Sequence, residues 1–443
     1  MKKTIIVAGG GHGGIAVAAL LAKRGYDVTV YEKNSRENMG YDWTDIFNRK
    51  GLKVCGISIP NESNIPLKNM MTFYPPSGSP TLKEDTPVEK REIQMERKEI
   101  YNLLIDNALS AGVKFCFEEE IIAPIVYGNR VVGIETQNGK HFGDLVIDAC
   151  GVNSPVRSKL PKHLGIQNKT KSYDKFYVYR AFYERTGEIP DNNFNVLLFR
   201  NNKLGISWVA IEEEHTDVLI GRFNPTPIED IEEEIASLRE IYPELGEKRV
   251  RGGQFVQIPV RAPLSKLVCD GYAAIGDSAF MTISIMGSGI ATALQAAPML
   301  ANAIINDKNG EYTTATLWKY QKDFFTKIGT GLAVVSCAKM LATKLKMEEV
   351  DSLFRLVALD EGESKISTDL KDIRALLQQN TPAVLAKKAK ALIKDKELLK
   401  KVLWLIGKVT ASGTICAVMP RYYDKKAVDL WFKKYDDIFN LNK

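Results

Sequence analysis

Residues 4–32 constrain this chain more than any other stretch. An apolar run, Thr4-Ile5-Ile6-Val7-Ala8, enters Gly9-Gly10-Gly11-His12-Gly13-Gly14, and a second run, Tyr26-Asp27-Val28-Thr29-Val30-Tyr31, ends at Glu32, 18 positions after Gly14. The pattern predicts a strand, a glycine turn, a helix and a second strand closed by an acid. Gly9 permits the tight turn, Gly11 lets the backbone approach a pyrophosphate, and Gly14 lets the helix pack close to the strand. A helix starting near Gly13 aims free N–H groups and about half a positive charge at phosphates. His12, inside the turn, is expected to face solvent or a phosphate, and Lys33 is grouped with the same cradle. Glu32 can accept hydrogen bonds from an adenosine ribose. An acid here suits the unphosphorylated ribose of FAD or NAD better than that of NADP.

At 443 residues the chain is long enough for two or three domains with a sizeable core. Its cysteines (Cys55, Cys116, Cys150, Cys269, Cys337 and Cys416) form no CxxC pair and its histidines are scattered, so no metal site is expected. Single cysteines and the lack of a secretory leader point to the reducing cytoplasm. Residues 331–443 hold 21 Lys and Arg against 14 Asp and Glu, so the chain's net charge of +6 resides in its last quarter. That favours an acidic partner or an anionic membrane surface there, and gives no reason to expect nucleic acid.

The chain reads as α/β, or α+β overall. Three segments, 1–75, 96–171 and 262–330, make a Rossmann-like dinucleotide-binding domain, and 76–95 is an excursion toward a substrate side. Residues 172–261 read as an antiparallel β-sheet substrate domain interrupted by a helix over Ile228–Ile241. Residues 331–443 are helical. Ile93–Ala111 reads as one helix, and Asn138-Gly139 marks a hairpin.

Three further segments carry a family resemblance. Ala274-Ile275-Gly276-Asp277-Ser278, followed by Gly287-Ser288-Gly289-Ile290, looks like the second FAD motif of the para-hydroxybenzoate hydroxylase superfamily. Asp148-Ala149-Cys150-Gly151-Val152-Asn153-Ser154-Pro155-Val156-Arg157 resembles the middle motif of that superfamily. Arg97, at a helix start, sits where the superfamily places an arginine near the pyrophosphate. The resemblance implies noncovalent FAD, with Asp277 on the ribityl side and the N–H groups of Gly287, Gly289 and Ile290 toward the flavin or pyrophosphate. Within the superfamily, Gln257-Ile258-Pro259-Val260-Arg261-Ala262-Pro263-Leu264 and Leu204-Gly205-Ile206-Ser207-Trp208-Val209 resemble geranylgeranyl reductases, as does Cys55-Gly56-Ile57-Ser58. That branch reduces C=C bonds of isoprenoid lipids with reduced FAD. Three positions depart from the pattern: Cys150 replaces an Asp, Ala210-Ile211 replaces Phe-Pro, and Ser284 replaces a Pro beside the flavin.

The chemistry expected is that of an FAD-dependent oxidoreductase on a small hydrophobic substrate. No Ser/His/Asp triad, HExxH or P-loop is present. No second GxGxxG appears, so electrons would come from transiently docked NAD(P)H or from a reduced ferredoxin or flavodoxin. Cys55, or a Tyr or Ser of the substrate sheet, could supply the proton that completes an alkene reduction, although a cysteine such as Cys55 is more often a small buried hydrophobe than a catalytic thiol. Trp208 is core or pocket wall. Arg97, and less strongly Arg49 and Arg157, could touch phosphate. Tyr41-Asp42-Trp43 with Asp45 is either pocket or surface. Residues 383–406 form a basic amphipathic pattern and 402–419 an apolar one. The segment 383–419 is thus either part of a helix bundle or a peripheral membrane contact. Two other functions fit the same fold: a flavin monooxygenase, and a non-redox flavin-dependent cyclase or isomerase.

Overall fold

The computed structural model describes residues 3–358, 365–366, 369–378 and 395–441. The predicted β-α-β start is present as strand Thr4–Ala8, helix His12–Ala22 and strand Asp27–Tyr31. The helix is apolar on nearly every side and is buried from Gly13 to Ala19, as expected for a helix sandwiched between a sheet and a second helix layer. Thr4–Ala8 lies inside a six-stranded sheet, flanked by Asp27–Tyr31 and Leu145–Asp148, both parallel to it. Tyr272–Ala274 extends the parallel set, and Val268–Cys269 closes that edge antiparallel. The three sequence segments assigned to one domain therefore meet in one sheet. Helix Ile290–Asn306 packs against the first helix and completes the layer.

The second sheet has eight strands. Its order runs Leu245–Pro259, Lys175–Arg185, His215–Arg222, Gly205–Ile211, Phe194–Leu198, Thr72–Tyr74, Leu82–Glu84 and Lys365–Ile366. Five of these fall within the antiparallel sheet read from residues 172–261, and the helix expected there is present as Ile228–Arg239 and covers the sheet's outer face. Strands from residues 72–84 extend the sheet, and two of its pairings are parallel.

One element differs from its expectation. Ile93–Glu96 is a strand, and the helix begins only at Arg97. Ile93 and Met95 are buried alternately and pair with Thr44–Phe47, so the period of two prevails over the helical spacing that Ile93 shares with Ile100.

A long helix, Thr314–Ala342, carries a π-turn over Phe325–Gly329. It is long and apolar enough to cross a membrane, yet most of it is buried in the core. Helix Lys396–Ala417 lies on it through Val409, Ser412, Ile415 and Cys416, all buried. Helix Lys425–Phe439 ties the end of the chain to the cofactor domain, with Trp431 donating to Ile415 O at 2.6 Å and Tyr435 to Pro263 O at 3.2 Å. Residues 395–419 thus belong to a helix bundle, whereas 383–394 lie outside the described residues.

Candidate active site

The glycine turn is built for close approach. Gly9 has φ +86°, and a Cβ there would lie 2.8 Å from Ala149 O. A Cβ on Gly14 would lie 2.6 Å from Ala149 Cβ, which confirms that this glycine lets helix and strand pack together. Gly11, expected to clear space for a pyrophosphate, is also demanded by the neighbouring strand, since its Cβ would meet Ala149 O at 2.7 Å. No side chain caps the helix at Gly11, so its first N–H groups remain available to an anion.

Glu32 is buried and fixes the turn. Its Oε2 accepts from Gly10 N at 2.8 Å, and its Oε1 accepts from Asn34 N at 3.0 Å and Asn34 Nδ2 at 2.8 Å. Oε2, with one bond, keeps a lone pair for a ribose hydroxyl. Exposed Lys33 borders the same cavity. His12 is half-buried and borders the cavity. Its ring stacks on Tyr101 at 4.5 Å, and burial together with the charge of Arg97 lowers its pKa to about 4, so it is neutral.

Arg97 starts its helix and grips Asp45 with two hydrogen bonds, Nε to Oδ2 at 2.6 Å and Nη2 to Oδ1 at 2.5 Å. Burial opposes the charge, but Asp45 outweighs it and holds the guanidinium above its ordinary range. Arg97 also lies over Tyr41 at 4.9 Å and Trp43 at 5.6 Å. The ambiguous acidic-aromatic cluster is therefore cavity wall, except Asp42, which accepts from Gly252 N at 3.1 Å on the exterior.

Across the cavity, Gly276 (φ +66°) turns the chain so that Asp277 follows strand Tyr272–Ala274. Burial pushes the Asp277 carboxyl up, and Thr282 Oγ1 donates to it at 3.1 Å. Gly287, Gly289 and Ile290 line the same wall, and helix Ile290–Asn306 begins there without a side-chain cap. Two uncapped helix starts, a ribose-side acid and a second acid thus surround one elongated space. These residues fit a flavin dinucleotide.

Sequence reasoning missed Asp148. Its carboxylate accepts from Ser154 Oγ at 2.6 Å, Tyr272 OH at 2.9 Å, Ser278 Oγ at 2.9 Å and Cys150 N at 3.1 Å. It knits the middle motif to the Gly-Asp motif. Its signals were its place at the head of the middle motif and an acid within an otherwise apolar strand. Cys150 beside it is half-buried, and desolvation raises its thiol pKa well above the usual range.

Three expectations are corrected. Cys55 does not border the cavity. It is buried, donates Sγ to Leu294 O at 3.2 Å, and burial raises its pKa to about 12. Arg157 is a buried structural residue that donates to Val152 O at 2.6 Å and Thr170 Oγ1 at 2.8 Å. Arg49 pairs with Glu62 at 3.1 Å.

The cavity, about 1030 Å³, continues from the cradle into a chamber under the eight-stranded sheet. Phe176, Val178, Ile206, Trp208, Leu219 and Val256 form its apolar wall. Trp208 is thus a pocket residue, set edge-on to Phe194 at 5.4 Å. Within this wall sits Arg180, held by Asp217 at 2.9 and 2.7 Å and donating to Thr44 O at 2.7 Å. Its guanidinium lies over Trp208 at 5.0 Å and Trp43 at 5.5 Å.

Residues 7–54 match a family described as an NAD(P)-binding Rossmann-like domain. The chain is 22% identical to the digeranylgeranylglycerophospholipid reductase of Sulfolobus acidocaldarius, over 91% of its own length and 93% of that protein. Its fold matches a geranylgeranyl bacteriochlorophyll reductase-like protein from Thermoplasma acidophilum with a TM-score of 0.71 at 19% identity, covering 92% of this chain and 100% of the other. It also matches the myxobacterial chondrochloren halogenase, an FAD-dependent enzyme, with a TM-score of 0.61 at 17% identity, covering 95% and 98%. Similarity along almost the whole length, joined to the cradle geometry, supports an FAD-dependent oxidoreductase that is similar to the digeranylgeranylglycerophospholipid reductases.

Proposed function

We propose that the protein saturates C=C bonds of an isoprenoid or similarly lipid-like substrate. The observation that carries this is the continuity of the cavity: the dinucleotide cradle opens directly into a chamber walled by aliphatic and aromatic side chains. Such a wall gains from burying hydrocarbon, at about 25 cal/mol per Å² of apolar surface.

Bound flavin, when reduced, supplies the hydride. The protein's own residues supply the rest. The uncapped helix starts at Gly11 and Gly289, with Glu32 and Asp277, would hold the dinucleotide. The Arg97–Asp45 pair fixes Tyr41 and Trp43 at the junction of cradle and chamber. The apolar wall excludes water from the reacting bond.

The second carbon of the alkene needs a proton. No Tyr, Ser or Cys of the substrate sheet borders the cavity among the described residues, because Ser207 turns away to Glu234 at 2.8 Å. Glu92 does border it. Burial raises its carboxyl pKa, and Lys68, 3.2 Å away, opposes that only in part. We assign the proton to Glu92. Contact of the basic C-terminal quarter with a membrane in the cytoplasm belongs to the same proposal, since it would bring a lipid substrate to the chamber.

The test is anaerobic. FAD-loaded protein, reduced with dithionite, is mixed with polyprenyl lipid, and product mass is measured. Gain of two hydrogens per double bond, lost in Glu92→Gln while the flavin stays bound, is the expected result. A product carrying one added oxygen, formed only in air, would instead establish a monooxygenase.

A further inference from the structure

One charged side chain interrupts the apolar wall of the chamber. Along Lys175–Arg185 the residues that border the cavity are Phe176, Val178 and Arg180, alternate positions of one strand. The third of them carries a guanidinium. Lys33 and Arg97, which also border the cavity, stand at the cradle. Arg180 is therefore the chamber's own cation among the described residues. It is buried, and so is its partner Asp217, which does not border the cavity. The pair thus turns its donor to the open space and its acceptor to the protein.

The donors can be counted. A guanidinium has five N–H groups. Nε and Nη2 each give one to Asp217, and Nη1 gives one to Thr44 O. One hydrogen on each Nη is left. Two indole rings lie against the group, Trp208 at 5.0 Å and Trp43 at 5.5 Å, and both border the cavity. Neither indole N–H meets an acceptor in the protein. Indole and guanidinium donate and never accept, so this spot offers donors alone. Its place is fixed as well. Trp43 also lies under Arg97, at 5.6 Å, and Arg97 N donates to Trp43 O at 2.9 Å. A single indole is shared by the two guanidiniums, so the donors of Arg180 sit where the chamber meets the cradle.

We propose that Arg180 receives a neutral carbonyl oxygen of the substrate, so that the chamber takes a carbonyl-bearing prenyl lipid in preference to a bare hydrocarbon. An anion would give the Arg180–Asp217 pair and its ligand a net negative charge inside an apolar wall, which is a costly arrangement. A hydroxyl would bring a hydrogen of its own, for which neither the indoles nor the guanidinium hold an acceptor. A carbonyl accepts, adds no charge and leaves nothing unmatched. Its oxygen lies at the cradle end, and the hydrocarbon runs along Phe176, Val178, Ile206 and Leu219. Arg180 is then the residue that sets substrate specificity. The inference rests on the reading of the chamber as a lipid site.

The test uses intact FAD-loaded protein with the flavin oxidised, so no turnover is needed. The probes share one prenyl chain: farnesene, farnesol, farnesoate and farnesylacetone. Dissociation constants are read from the change in flavin absorbance. Farnesylacetone should bind about tenfold or more tighter than farnesene, the gain expected for a hydrogen bond to a charged group, with farnesol and farnesoate weaker than the ketone. In Arg180→Met/Asp217→Leu, which replaces the whole pair by apolar side chains, the ketone should lose that advantage while farnesene binds as before. A second readout needs no variant: the C=O stretch of isotope-labelled farnesylacetone should move to lower frequency on binding, as it does for a hydrogen-bonded carbonyl. Equal binding of ketone and hydrocarbon, or an unshifted stretch, overturns the proposal and leaves the C=C reading standing. Tightest binding by farnesoate overturns it in favour of an anion site. If no probe binds to protein that holds FAD, the reading of the chamber as a lipid site falls, and this inference with it.

Discussion

The two ends of the cavity are made in opposite ways. The cradle is backbone: glycines pressed against Ala149, uncapped helix starts, and acids at strand ends. The chamber is side chains: alternate residues of several strands that meet only in the folded sheet. Each end also holds one buried Arg–Asp pair, Arg97–Asp45 at the cradle and Arg180–Asp217 at the chamber, with Trp43 beside both. A backbone site tolerates almost no substitution and keeps its ligand. A side-chain site changes its ligand without changing the fold.

The sharpest way to break this comparison is Asp217→Ala, which leaves a buried guanidinium without its partner. It should cost about 3–5 kcal/mol of stability, read by urea unfolding. If the cost is negligible, the chamber wall is softer than described.

His12 gives the next effect. Its folded pKa of about 4 lies below the unfolded value of 6.5, so the unfolded chain binds the proton first as pH falls. Stability contributed by neutral His12 is complete above about 6.5 and is lost down to about 4, at most about 3 kcal/mol. His12→Asn should flatten that part of the stability-versus-pH curve.

Gly14→Ala should cost about 2 kcal/mol by overpacking against Ala149 and release FAD, seen as colourless protein on purification. Trp208→Phe acts on the other end. It should leave FAD affinity intact and raise the KM for the lipid about tenfold, the scale of one altered hydrophobic contact. A change in FAD affinity there would join the two ends that the geometry keeps apart. Cys55→Ala should be the mildest, with kcat unchanged within about twofold, because its thiol faces Leu294 O.

The same contrast explains what could be read in advance. The cradle is written in local spacing, so Gly9–Gly14, Glu32, Gly276-Asp277 and Gly287–Ile290 could be singled out from sequence, and all but Gly14 border one cavity. Arg97 was placed by its helix start, but not its grip on Asp45, which lies 52 positions away. Asp148 escaped notice because its donors, Ser154, Tyr272 and Ser278, converge only in three dimensions. Cys55 was misjudged for the converse reason. A motif next to a cofactor loop in sequence points its thiol at a helix backbone in space. Trp208 was legible as an aromatic in a strand. Which face it took depended on register, and a shift of one residue would have turned it to the other side.

The order of strands in the cofactor sheet also sets a timetable. Thr4–Ala8 is made some 140 residues before its partner Leu145–Asp148, and Tyr272–Ala274 follows much later. The nascent chain therefore carries a glycine turn with nothing to press against until Ala149 has been added. Pairings of such long range form slowly and leave apolar strand edges uncovered meanwhile. The far wall of the cradle, Asp277 and Gly287–Ile290, is also added long after the glycine turn, so FAD supply during expression should govern how much of the protein ends up soluble.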